Sequence, residues 1–290
     1  MRIALATCGR LSRLTDDDRL LLEELRRRGA EAAPAVWDDP GTDWSRFEAV
    51  VIRSCWDYHL RLPEFLAWVD SLERARIALW NPVALVRANA HKTYLRQLAS
   101  DGFPVVPTAW LGQGSRGRLA DLLDERGWTD VVVKPAVSAS AFGTLRISRG
   151  EAGEARAQRS FEDLIAAGDL LVQPFVPEIV SPGEWSFVFL GEAYSHAVLK
   201  RPAAGDFRVQ DEFGGEIAGR APSASLVAQA KRIAAWIPRP WLYARIDGVE
   251  IVGTLNVMEI ELIEPSLFLA SDVAAPARLA DAILRLEPAP

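Results

Sequence analysis

The sequence predicts an α/β fold that passes into α+β, with an open α/β unit and a mainly parallel sheet over about the first 90 residues. Two observations predict it. Short apolar runs alternate with amphipathic stretches from residue 3 to residue 80. Beyond residue 184 the apolar runs come in pairs with hairpin spacing. The chain has 290 residues, enough for a large core and more than one domain.

Taken in order, residues 3–8 read as a buried strand. Asp16-Asp-Asp opens a helix through Arg28, with acids in the first turn, arginines in the last and Gly29 as terminator. Strands follow at 32–37, 47–52 and 77–80, and a helix started by Pro63 runs to Arg74. A helix over 89–100 precedes an extended stretch at 103–110, a helix at 118–126 and a buried strand at 130–135. A mostly helical 151–167 leads into a strand at 170–176. Residues 185–190 and 193–200 pair about Gly191-Glu192. Residues 201–219 are loop-rich and too long for an idle connection. A helix at 223–237, a last hairpin and a helix at 273–286 complete the chain, with no internal repeat and no low-complexity segment.

Composition excludes several function classes. Net charge is −6 with a pI near 5.3, which argues against nucleic-acid or anionic-membrane binding. No apolar run approaches a membrane span. The start resembles a signal sequence only briefly before Thr15-Asp-Asp-Asp. Two cysteines, Cys8 and Cys55, make no disulfide framework and fit a reducing, cytoplasmic compartment. Cys55 has His59 near it, but a small buried residue at a strand end is the favoured reading.

The chemistry concentrates in the last hairpin. If its two arms turn about Gly253, Asp247 falls opposite Glu259 and Arg245 opposite Glu261. Asp247, Glu259 and Glu261 then share one face, while Ile246, Met258, Ile260 and Leu262 read as core. Three carboxylates on one patch repel unless a cation sits among them. That cation is either a hard ion such as magnesium or, on a solvated face, Arg245 itself. Earlier, Lys134 ends a run of three valines and must have a partner, because an unpaired buried ammonium is costly. Residues 138–144 after it are small enough for backbone to approach a phosphate, although neither the P-loop nor the dinucleotide fingerprint is present. Lys92 is a second phosphate candidate; by itself it reads as a surface helix lysine. Gln173-Pro-Phe-Val reads as a strand entering an extended hinge able to meet adenine, with Val176 or a neighbour as amide donor and Glu178 near a ribose. Arg53, Ser54, Trp56 and Asp57 lie at the carboxyl end of a strand, where open α/β sheets bind ligands. Arg53 suits a substrate carboxylate and Asp57 an amine; the alternative is a capped turn with a surface ion pair.

The order Lys92, Lys134 with its small-residue loop, the 173–176 hinge, Lys200-Arg201 and Asp247…Glu259-Ile-Glu261 resembles the ATP-grasp enzymes over residues 89–270. The preceding unit resembles their N-terminal, Rossmann-like domain. Arg53-Ser-Cys-Trp-Asp-Tyr, Lys134-Pro-Ala-Val-Ser-Ala-Ser-Ala, the stretch from His196 to Gln210 and Glu259-Ile-Glu-Leu-Ile-Glu-Pro-Ser-Leu-Phe resemble the cycloserine-biosynthesis branch, with its O-ureido-serine cyclo-ligase.

The resemblance implies an N-terminal domain over 1–88, a central subdomain over 89–172 and a C-terminal subdomain over 173–290 that clasp ATP. It implies magnesium on Asp247, Glu259 and Glu261, and phosphates held by Lys92, Lys134 and the loop with Ser138, Ser140, Gly143 and Thr144. Gln173, Phe175, Val176 and Glu178 would take the nucleoside. Lys200, Arg208 and Arg245 would steady the transferring phosphate. The 201–219 segment would be a lid, with Phe207 and Gln210 facing substrate, and Ser266 would line the same pocket. The implied reaction is ADP-forming ligation of a carboxylate to a nitrogen through an acyl phosphate, on a small amino-acid-like substrate. The alternatives are a non-catalytic ATP-binding module and a kinase-like phosphotransferase. If the protein is oligomeric, a homodimer is the default expectation. Two positions depart from the family pattern. Glu261 stands where many members carry Asn, and Ala141 stands in a loop often rich in glycine, where a positive φ would be strained.

Overall fold

The computed structural model describes residues 1–203, 205–209 and 214–286. At the N-terminus, β1 (Arg2–Thr7), β2 (Glu31–Val36), β3 (Ala49–Ser54) and β4 (Ala78–Trp80) form a parallel sheet ordered β2-β1-β3-β4. Helices α1 (Asp16–Arg27) and α2 (Leu62–Arg74) cross between strands. The Asp18 amide donates to Thr15 Oγ1 at 3.1 Å, which caps α1, and Leu21 and Leu25 bury its apolar face. Gly29, at φ +84°, turns the chain into β2.

The helix expected over 89–100 is two helices, α3 (Val83–Asn89) and α4 (Tyr94–Ser100), with Lys92 in the turn between them. Tertiary bonds explain the break. The Lys92 amide donates to Ala136 O at 2.9 Å instead of to a helical carbonyl. Asn89 Nδ2 donates to Ile260 O, and Asn89 Oδ1 accepts from the Leu262 amide, both at 2.8 Å.

In the middle of the chain, β5 (Ala109–Leu111), β6 (Asp130–Pro135), β7 (Leu145–Ser148) and β8 (Leu170–Pro174) form an antiparallel sheet ordered β5-β8-β6-β7. Helices α5 (Leu119–Arg126), α6 (Arg149–Ala152) and α7 (Ala155–Ala167) pack on it. Strand β7 was not foreseen; its four residues follow directly on the small-residue loop. The third sheet has β9 (Glu184–Leu190), β10 (Ala193–Arg201), β11 (Glu216–Gly219), β12 (Tyr243–Ile251) and β13 (Thr254–Glu261), in the order β11-β10-β9-β12-β13. Short β11 falls inside the stretch expected to be loop. Helices α8 (Ala224–Trp236) and α9 (Ala275–Leu284) complete the fold.

The last hairpin has the expected register, Asp247 opposite Glu259 and Arg245 opposite Glu261. The ladder then slips between Asp247 and Gly248. A Cβ on Gly248 would lie 2.5 Å from Asn256 O, so the slip needs glycine there. Met258, at the slip, lines the main cavity while packing against Ile179, Val209 and Val249, and Ile246, Ile260 and Leu262 are core as expected.

The cores show how the parts join. Leu5, Leu21 and Leu25 share a cluster with Val188, Leu242 and Leu279. Leu95 and Leu98 share another with Phe187, Phe189 and Ile233. The cluster around Val131, Val133, Phe161 and Val172 draws only on residues 109–172.

Candidate active site

A cavity of about 830 Å³ lies where the three sheets meet. Strands β9, β10, β12 and β13 supply its charged floor. Arg245 Nε and Nη2 donate to Asp247 at 2.8–3.1 Å, Nη2 also reaches Glu261, and Nη1 donates to Ser266 O at 3.0 Å. Ser186 Oγ donates to Asp247 Oδ1 at 2.5 Å. Lys200 Nζ sits 2.5 Å from Glu184 and 3.7 Å from Asp247. Lys92 Nζ sits 3.1 Å from Glu259. The repulsion expected among the hairpin acids is therefore answered largely by the chain's own lysines and arginine.

Electrostatics follow from this interleaving. Burial works against the charges of Arg245 and Lys200, but Asp247 and the adjacent glutamates outweigh it and push both pKa values up. Burial would raise Asp247, yet Arg245, Lys200 and the Ser186 hydroxyl hold it below the usual carboxylate range. Burial pushes Glu261 up to about 7, and repulsion from Glu259 and Asp247 keeps it there against Arg245.

Among the described residues no group of three or more Asp, Glu, His or Cys is gathered as a metal cage. Asp247 is committed to Arg245 and Ser186, which corrects the expectation of three equivalent metal-facing acids. Glu259 and Glu261, with side chains 28% and 24% exposed, face the cavity as hard oxygen donors. Their mutual repulsion is of the kind a divalent cation relieves, so these two fit one.

The lining also includes Lys134, Ser138, Ser140, Ala141 and Thr144. Among the described residues no hydrogen bond or ion pair reaches the Lys134 side chain, and burial pulls its pKa down. Lys92 is buried rather than on the surface, and its Nζ donates to Ser138 O at 2.9 Å and Oγ at 3.1 Å. Ser140 and Ala141 take φ of +49° and +54°, the strained conformation anticipated for Ala141. Gly143 is outside the cavity lining; it turns the loop at φ +68°, against the Pro135 ring.

Gln173, Phe175 and Val176 line the cavity and Glu178 does not. Gln173 Nε2 donates to Thr108 Oγ1 at 2.9 Å, and the Phe175 amide donates to Asp130 O at 2.8 Å. The Val176 amide makes no bond among the described residues, so it remains the donor a base would meet.

The expected substrate residues divide. Arg53 is 1% exposed; it pairs with Asp18 at 2.8 Å, donates to Pro265 O at 2.8 Å and lies over the Tyr243 ring. It also lines the cavity, but its charge is taken up by Asp18 rather than left open for a substrate carboxylate. Ser54 is fully buried 3.0 Å from the Thr7 hydroxyl. Asp57 accepts from Trp37 Nε1 at 2.9 Å and pairs with Arg61, outside the lining. These two are structural, the alternative already open for that strand end. Trp56, Phe207, Arg208 and Ser266 do line the cavity, and Arg208 pairs with Asp206 at 2.8 Å. Gln210 lies outside the described residues. Asp17, Asp18, Tyr58 and Glu184 also line the cavity and were not anticipated; Glu264, in the Glu264-Pro-Ser-Leu-Phe stretch read from the sequence as a candidate pocket lining, lines it too. The Asp16-Asp-Asp triplet had been explained as a helix start. Glu264 had a signal, a third glutamate three residues beyond Glu261 in an otherwise apolar run.

The profile of the D-cycloserine synthetase DcsG N-terminal domain matches residues 3–81. The cycloserine biosynthesis protein DcsG of Streptomyces lavendulae is 34% identical over 92% of this chain and 93% of its own. The chain belongs to the DcsG family of ATP-grasp ligases. A crystal structure of D-cycloserine synthetase DcsG superposes with a TM-score of 0.86 at 32% identity, covering 98% of both chains. A RimK-domain ATP-grasp protein from Sphaerobacter thermophilus has the same fold, with a TM-score of 0.72 at 20% identity over 98% of this chain and 100% of that one. Membership in the DcsG family accounts for the three-sheet architecture around one cavity. Among the described residues no helix is long and apolar enough to cross a membrane.

Proposed function

We propose that this ATP-dependent ligase forms ADP, requires magnesium, and joins a carboxylate to a nitrogen on a small amino-acid-like substrate in the cytoplasm. A ring closure of the cycloserine type is the leading form of that reaction. One observation carries the reading. Lys134 lines the cavity with no anionic partner in hydrogen-bond contact among the described residues, beside a loop of hydroxyls and small residues and in the same lining as Glu259 and Glu261. A polyphosphate on one side and a divalent cation on the other complete that arrangement.

In this reading Lys134, with Lys92 steadying Ser138, receives the phosphates under the 138–144 loop. The hinge at 173–176 receives the base. Bound magnesium, held on Glu259 and Glu261, would offset charge on the transferring phosphate. The substrate carboxylate attacks the terminal phosphorus and ADP leaves. The substrate nitrogen then attacks the acyl carbon, a C–N bond forms, and phosphate departs with the electron pair. Arg245, which pairs with Asp247 and Glu261, would stabilise negative charge on the acyl oxygen. An acyl phosphate hydrolyses in water, so the segment with Phe207 and Arg208 acts as the cover.

The test is ADP and phosphate release from magnesium-ATP with O-ureido-serine of each hand. Stimulated release with a cyclised product, either the dehydrated carbamoyl ring or the ring after loss of its carbamoyl group, supports the reading. A stable phosphorylated substrate would make the protein a kinase instead.

A further inference from the structure

A cavity built for one ligand shows by its unpaired charges what the ligand must bring. Six of the carboxylates lining the main cavity lie within 4 Å of a cation. Asp16 pairs with Arg19, Asp18 with Arg53, Glu184 with Lys200, and Asp247 with Arg245. Glu259 pairs with Lys92 and Glu261 with Arg245. Two lining carboxylates have no cationic partner among the described residues, Asp17 and Glu264.

They are not equivalent. Asp17 Oδ1 accepts the Ala270 amide at 2.9 Å, and its other oxygen is sealed from solvent without a partner. A ligand cannot reach that atom as the structure stands. Glu264 is 8% exposed and lines the cavity, and among the described residues no cation or side-chain donor reaches its carboxyl. A carboxylate this buried is normally paired.

Its position is also rigidly set. Three successive carbonyls are held by donors from two parts of the fold. Trp56 Nε1 donates to Glu264 O at 3.1 Å, Arg53 Nη2 to Pro265 O at 2.8 Å, and Arg245 Nη1 to Ser266 O at 3.0 Å. Two of these donors come from the N-terminal unit and the third from the β12–β13 hairpin. The turn therefore fixes the Glu264 backbone three residues from Glu261, in the same cavity lining as Lys134 and Glu259, where the ligase reading puts the reacting carboxylate. An amino-acid-like substrate carries its ammonium within a few bonds of that carboxylate.

We propose that Glu264 is the anchor for the substrate's ammonium group, and so the residue that selects amino acids over other carboxylic acids. This rests on the ligase reading for the identity of the substrate, but the site itself is read from charge pairing and burial. Burial, and repulsion from Glu261 and Glu259 against the pull of Lys92, raise the free carboxyl's pKa. An ammonium at hydrogen-bond distance reverses that penalty.

The test uses calorimetric binding to the full chain with magnesium and a non-hydrolysable ATP analogue. The probes are O-ureido-serine of each hand and 3-(ureidooxy)propanoate, which lacks only the amino group. The wild type should bind one amino probe about 10- to 100-fold more tightly than the desamino probe. Glu264→Gln should erase that preference, with the amino probe weakened and the desamino probe unchanged. Glu264→Gln weakening both probes equally would make the residue structural and overturn the proposal. So would a retained preference, loss of the preference in Asp17→Asn instead, or no binding by any probe. ADP release by the wild type is read separately. Intact Glu264-dependent binding without ADP release would sink the ligase reading and leave the anchor standing.

Discussion

Lys134 is where function works most directly against stability. Its ammonium is desolvated, half-buried and without a hydrogen-bonded partner among the described residues, so it costs the ligand-free fold something that an anionic ligand returns. Lys134→Met should lower kcat/KM by about 100- to 1,000-fold while the melting temperature stays the same or rises. Wild-type turnover in this variant would remove Lys134 from the site. Glu261 makes a parallel case through pH. Its folded pKa, about 7, lies above the ordinary value of 4.5, so the folded state holds the proton more tightly. That stabilisation is complete below pH 4.5 and is lost as pH rises through 7. Its size is on the order of 3 kcal/mol. In ligand-free protein Glu261→Gln should match wild type at pH 5 and exceed it at pH 8 in urea titrations. Parallel stability curves would contradict the assignment. The acid pattern of the hairpin was legible because strand alternation put Asp247, Glu259 and Glu261 on one face. Their partners were not, since Lys92, Lys200 and Ser186 arrive from other strands and turns. Arg53 misled for the same reason. A strand-end arginine invites a substrate, and nothing local reveals that Asp18, 35 positions earlier, already holds it.

At the scale of elements, the parts legible in sequence were those whose period or caps were local. Helix α1, with its Thr15 cap and its acid-to-base order, is one; the β12–β13 register is another. The break between α3 and α4 was not legible, because Asn89 and Lys92 leave the helical pattern to bond Ile260, Leu262 and Ala136. The slip at Gly248 brought Met258 to the cavity lining for a similarly non-local reason, the close approach of Asn256. The 138–144 loop is the element most open to test. Ala141 sits at φ +54° without the freedom of glycine. Ala141→Gly should raise stability by about 0.5–1 kcal/mol, the αL penalty less the entropy of glycine. Thermal melts of the ligand-free protein check the sign; a destabilised variant would mean the loop does not hold this conformation in solution.

Across the whole molecule, the N-terminal unit is fastened to the ligase body by polar bonds as well as by shared core. Asn81 is fully buried beyond β4. Its Nδ2 donates to Tyr243 O at 2.8 Å and Leu262 O at 2.7 Å, and its Oδ1 accepts from the Leu242 amide at 2.6 Å. Tyr243 Oη returns the contact by donating to Ile52 O at 2.7 Å. Asn81→Ala leaves buried backbone groups unsatisfied and should cost about 3 kcal/mol or more. A loss under 1 kcal/mol in urea titrations would show that this junction is not held as described. Holding the units together is what brings Trp56 and Arg53 onto the turn at Glu264 and closes one cavity from three sheets. The central claim is that this cavity couples ATP cleavage to C–N bond formation. Its most direct measurement is the stoichiometry of ADP and ligated product, by chromatography and mass spectrometry, with magnesium-ATP and the O-ureido-serine enantiomers. One ADP should form for each cyclised product, with or without its carbamoyl group, from one enantiomer, and neither should form with Lys134→Met. ADP without product, or no substrate-stimulated ADP at all, would contradict it.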